Sequence, residues 1–194
     1  MFLKYRALVR TIARPFARFG GDEKAVAAVE FALILPLLVT LYIGMVEVTQ
    51  AITVNRKVTH LASSLADLVT QTRSVSSGEM NDMFTATEAI MNPYDVTPLK
   101  VVLAAVDFDA DGKAKVDWSV GYKRSAYAEN QPPPVEIPEA LAIPNTQIVI
   151  GQVEYSHSTT FSVIMKDLLG KTTFDYDEIF MLKPRLSDKV DYTG

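Results

Sequence analysis

The chain contains no cysteine, which removes disulfides, thiolate metal ligands and cysteine nucleophiles and leaves the redox compartment open. Histidine is nearly as scarce. His60 stands amid Ser and Thr and His157 follows a strand-like run, and the two lack any ligand or triad spacing. There is no glycine-rich phosphate loop, no H-E-x-x-H and no G-x-S-x-G, so the sequence offers no catalytic residue and implies no cofactor. Basic residues are missing as a patch beyond the start: residues 1–24 carry a net charge of +4 and residues 25–194 one of −8. An acidic bulk of this kind argues against nucleic acid as a partner. No internal repeat is visible.

Between Ala25 and Val48 lies a long apolar run, and from Ala25 to Val46 its only charged side chain is Glu30. Those 22 residues reach roughly 33 Å as a helix, enough for a bilayer core of about 30 Å. A positive end before the run and acidic residues after it predict a cytoplasmic N-terminus and an exported C-terminal part. Glu30 then needs a reason, because a charge at the centre of a span costs about 2.5–3.5 kcal/mol. It is either an acid hydrated at the membrane boundary, a few residues from Lys24, or a functional group inside the span.

Ahead of the run, Arg6, Arg10, Arg14 and Arg18 recur every fourth residue with Pro15 among them, as in an export leader or a membrane-surface arm. Behind it, Val54, Val58, Leu61, Leu65 and Leu68 alternate steps of four and three, predicting one helix from about Val26 to about Gln71. Pro36 removes one backbone donor inside that helix and is the expected bend. Ser76-Ser77-Gly78-Glu79 fits a capping box that opens a second helix, stopped by Asn92-Pro93. Lys100–Phe108 and Lys113–Tyr122 read as a β-hairpin, with Ala114, Val116, Trp118, Val120 and Tyr122 on one face. The proline-rich stretch Tyr127–Pro144 reads as an extended surface loop with at most one helical turn. Thr146–Tyr155 is a third strand, Thr159–Leu169 a short amphipathic helix, and Thr172–Leu182 a fourth strand with a bulge near Asp177. The fold class is α+β: a long N-terminal transmembrane and amphipathic helix, then a small domain with an antiparallel sheet. The expected divisions are a cytoplasmic basic leader over 1–25, a transmembrane helix over 26–48 and an exported domain over 49–194.

Asp107, Asp109, Asp111 and Gly112 imitate the first half of a calcium loop, yet Trp118 stands where the bidentate Glu belongs and strands flank the segment. A solvated hairpin turn is expected there, with no metal. Asp175 and Asp177 alternate with Phe174 and Tyr176 as the wet face of a strand does.

Ala27-Ala28-Val29-Glu30-Phe31-Ala32-Leu33, followed by Pro36, resembles the N-terminal motif of TadE-like pseudopilins, minor pilin-like proteins of the tight-adherence (Tad/Flp) pilus, a branch of the type IV pilus systems. The stretches Val153-Glu154-Tyr155 and Lys183-Pro184-Arg185 resemble the family's closing strands. The resemblance implies a pilin-like fold and a leader removed by a dedicated membrane aspartic peptidase that leaves Glu at the fifth mature position. Counting back from Glu30 places the cut between Ala25 and Val26, with Ala25 where the family usually has glycine. It implies further that Glu30 pairs with the new N-terminal amine of a neighbouring subunit. The partners so implied are other pilin and pseudopilin subunits, the prepilin peptidase and the inner-membrane assembly platform. The contrasting expectation is a secreted or bitopic envelope binding domain that does not polymerise.

Overall fold

The computed structural model describes residues 23–159, 161, 166, 170 and 173–194. The basic arm before Glu23 and nearly all of the short helix expected over Thr159–Leu169 lie outside the described residues. The chain divides into two compact units, Met1–Val48 and Thr49–Gly194.

The first unit is described as the opening part of α1, which runs over Glu23–Thr70. It continues as α-helix through Pro36, whose missing N–H leaves the Ala32 carbonyl without its usual helical donor. The Pro36 carbonyl accepts a bond from Thr40 Oγ1 at 2.8 Å.

In the second unit the remainder of α1 packs on a sheet. Val54, Val58, Leu61, Ala62, Leu65, Ala66 and Val69 are buried, whereas Leu68, expected on the inward seam, is 47% exposed. A straight α-helix drifts about 20° per heptad from a 3.5-residue repeat, so over two heptads the inward position passes from Leu68 to Val69. Ala62 and Ala66 widen the buried stripe to suit a flat sheet.

A short strand β1 (Ser74–Val75) precedes α2 (Ser77–Met91). The capping box forms as the sequence predicts: Glu79 N–H donates to Ser76 Oγ at 3.3 Å, and Ser76 N–H donates to Glu79 Oε2 at 2.8 Å. At the other end of α2, Lys57 Nζ donates to the carbonyls of Ile90 and Asn92, both at 2.7 Å, placing a cation at the negative end of the helix.

Strands β2 (Lys100–Phe108), β3 (Ala114–Tyr122), β4 (Gln147–Ser158) and β5 (Thr173–Leu182) form an antiparallel sheet in the order β3-β2-β4-β5. Two corrections concern bulges. β5 pairs with β4 in continuous register from Ser158↔Thr173 to Val149↔Leu182, so Asp177 carries no bulge. Phe174, Tyr176, Glu178 and Phe180 keep one phase and Ile179 faces outward. The register shift falls instead in β3: Trp118 pairs with Ala105 and Val116 with Val106, leaving Asp117 as the extra residue. Trp118, Val120 and Tyr122 therefore face α1 and α2, while Ala114 and Val116 join the opposite core with Val106 and Ile148. Both faces of this sheet end are covered, so a swap of face left the apolar alternation in the sequence intact.

What covers the second face is the proline-rich loop. Tyr127, Val135, Ile137 and Ala142 pack on Val102, Ala104, Val106 and Ile150, and the loop contains one 3-10 turn, Glu139–Leu141. It is extended, as expected, but it is also a wall of the core. A last strand, β6 (Asp191–Tyr192), pairs in parallel with β1 and was not anticipated. Two-residue strands carry no periodicity to detect.

Candidate assembly surface on the N-terminal helix

Within the described part of the first unit, α1 turns apolar side chains outward in every direction. Phe31 is 60% exposed and Leu33 74%, and Val26, Val29, Ile34, Leu37, Leu38 and Leu41 are exposed as well. By length and composition this is the one helix among the described residues apolar enough to cross a membrane, and none of its most apolar stretch is buried. In water such a surface would be strongly unfavourable, at about 25 cal/mol per Å² of apolar area. It calls for lipid or for other helices.

Glu30 lies on this helix, exposed, with Val26, Leu33, Ile34 and Leu37 three, four and seven positions away on its own side. Among the described residues it forms no ion pair. Ala25 and Val26 are both inside α1, on the turn that precedes Glu30. At the far end of the run stands a second acid, Glu47, which is fully buried. It falls inside the run Ala25–Val48, one residue past the segment in which Glu30 is the only charge.

The other sequence candidates resolve into structural roles. Asp109 Oδ1 accepts from the N–H groups of Asp111 (3.0 Å) and Lys113 (2.9 Å), so the carboxylate organises the β2–β3 turn. Those bonds, led by the one from Lys113, hold its pKa below the ordinary aspartate value. Asp107 pairs with Lys189 and accepts from Gln147 Nε2 at 3.0 Å. Among the described residues no group of three or more His, Asp or Glu is placed to hold a metal ion. His157 is buried with its ring edge-on to Tyr94, and His60 Nδ1 lies 3.3 Å from Ser64 Oγ, far from any shared site. Asp175 and Asp177 lie on the exposed positions of β5, as the alternation predicts.

Beyond the helix, a buried polar network ties the sheet to its coverings. Tyr127 donates to Gln152 Oε1 at 2.6 Å, and Gln152 Nε2 donates to Asp177 Oδ1 at 2.7 Å. Burial, with the charges of Asp177 and Glu154 adding to it, pushes the Tyr127 phenol up to about 12. Trp118 Nε1 donates to the Val190 carbonyl at 2.7 Å and so fastens the C-terminal segment to β3.

The family of TadE-like proteins matches residues 25–67 through its sequence model, a span that covers the apolar run and most of the packed part of α1 and stops before the sheet. That family is structural, with no enzymatic chemistry of its own. No curated protein and no solved structure matches the chain. The match runs from end to end of the outward-facing apolar stretch, so over residues 25–67 the N-terminal helix of this chain is similar to TadE-like proteins.

Proposed function

We propose that the chain is a minor pilin-like subunit or assembly factor of a Tad/Flp pilus used for surface adherence. It is held in the inner membrane by α1 until it enters, or helps to start, a filament. The observation that carries this reading is the outward-facing, unburied apolar stretch of the helix, whose only charge between Ala25 and Val46 is Glu30. Assembly replaces lipid around Phe31–Met45 with equivalent helices. Cleavage between Ala25 and Val26 creates an amine, and Glu30 of one subunit pairs with that amine on the next, both leaving water together. Because Pro36 leaves the Ala32 carbonyl without a helical donor, that turn is where α1 yields when helices pack. The peptidase that cuts the leader and the inner-membrane platform that moves the subunit are the partners this scheme needs. The second unit then sits on the periplasmic side.

Mass spectrometry of the terminus of the membrane-fraction protein tests the scheme. A start at Val26 is expected. A start at Met1 describes a permanent bitopic anchor, and one near Ile52 a secreted domain; either result removes the filament reading.

A further inference from the structure

The two edges of the four-stranded sheet are finished differently. β3 is bulged at Asp117, and the loop occupies its outer edge: Val116 N–H donates to the Gln131 carbonyl at 2.9 Å and Asn130 N–H to the Val116 carbonyl at 2.8 Å. β5 runs for ten residues with no bulge, proline or lysine. Among the described residues no backbone segment bonds to its outer edge. Sheet proteins ordinarily blunt such an edge with a bulge, a proline, a lysine or a cover, or with charge of one sign that repels a like strand yet leaves the edge open to an opposite one. Among the described residues β5 has only the last of these, while the opposite edge of the same sheet has a bulge, Lys115 and a cover.

The register against β4 fixes the direction of each β5 side chain. Thr173, Asp175, Asp177 and Ile179 stand on one face and Phe174, Tyr176, Glu178 and Phe180 on the other, where Tyr176 and Phe180 pack on the core that includes α1. Asp175 accepts from Ser156 Oγ and Asp177 from Gln152 Nε2, each at 2.7 Å, and each carboxylate keeps further lone pairs outward. Neither of them, nor Glu178, belongs to an ion pair among the described residues. A second copy of β5 fits this edge poorly. In either direction it brings three carboxylates along three carboxylates with no cation between them, and like charges across a strand pair are destabilising.

We infer that β5 is a docking edge for a strand of a different protein, one that alternates basic with apolar residues. Main-chain bonds extend the sheet, the basic side chains reach Asp175 and Asp177, and the apolar ones continue the layer of Phe174, Tyr176 and Phe180. The inference concerns the second unit alone and stands whether or not α1 builds a filament.

Amide hydrogen exchange over residues 173–182 of the full-length chain in detergent micelles tests it. The probes are a synthetic peptide of β5's length alternating lysine with valine, and its glutamate–valine counterpart. The lysine peptide is expected to slow exchange in β5 and the glutamate peptide to leave it unchanged. In the Asp175→Lys/Asp177→Lys chain, checked for an unchanged melting transition, the lysine peptide should bind about tenfold more weakly. No protection of β5 by the lysine peptide overturns the inference, and so does equal protection by both peptides. Disulfide joining of two Ile179→Cys copies in the absence of peptide overturns it too, because the edge would then pair with itself.

Discussion

Gly151 of β4 faces the carbonyl oxygen of Ala62 in α1, and a methyl group on Gly151 would stand 2.8 Å from that oxygen and 3.1 Å from Ala66 Cβ. Helix and sheet approach closely here, which a side chain at Gly151 would prevent. Gly151→Ala is expected to force the helix outward at a cost of about 1–3 kcal/mol. The urea midpoint of the folded chain in detergent measures it, and an unchanged midpoint would show that the helix can shift freely.

Trp118 is held by its indole N–H to the Val190 carbonyl and by stacking of its ring on Tyr192 at 5.7 Å. Trp118→Phe keeps an aromatic ring but leaves the buried carbonyl without a donor, for a loss of about 1–3 kcal/mol. Limited proteolysis reads the local consequence: cleavage near Val190 should become faster before cleavage in β2 or β4 does.

Acid acts on the start of α2. The Ser76 backbone and side-chain bonds hold the Glu79 carboxyl below its ordinary value of 4.5. A lowered folded-state value means that the contribution is complete above the unfolded value and is lost as pH falls through the folded one. Stability should therefore decline below about pH 4.5. Glu79→Gln is expected to flatten part of that decline, as measured by denaturant midpoints across the acid range.

Alkali acts on the loop. With Tyr127 raised from 10.0 to about 12, its protonated form is favoured in the folded chain, so its contribution is complete below pH 10 and is lost as pH rises through about 12. Ultraviolet difference titration should show a phenol ionising at about pH 12, and Tyr127→Phe should remove that part of the titration.

Glu30→Ala removes the acid while leaving the apolar helix long enough to span. Export of the domain, followed by accessibility to external protease in spheroplasts, is expected to stay normal, and piliation or adherence to fall. Normal pili in that strain would end the assignment of Glu30 as the assembly acid.

Local chemistry was readable before the fold was known. Ser76 and Glu79 announce their reciprocal bonds by spacing, and Asp109 with Gly112, at φ 75°, announces the hairpin turn. The exposed helix follows from composition alone. What escaped was everything decided by a distant surface. Ala114 and Val116 look in phase with Trp118, yet a bulge turns them to the other face, and only the loop's apolar residues make that face hospitable. Leu68 fits a heptad but faces away from a sheet that is met at 3.6 residues per turn. β1 and β6 are too short to show any pattern and exist because each finds the other.

Those last two strands set an order of events. Thr193 N–H bonds to the Val75 carbonyl and Asp191 N–H to Arg73, beside Lys189 on Asp107 and Val190 beneath Trp118. A polypeptide emerging from its N-terminus can build the hairpin early, but the clasp of β1 with β6 waits until Asp191 and Tyr192 have been made. Until Val190 has been added the indole has no carbonyl to bind, so this unit closes only after a segment more than seventy residues beyond the indole has been made.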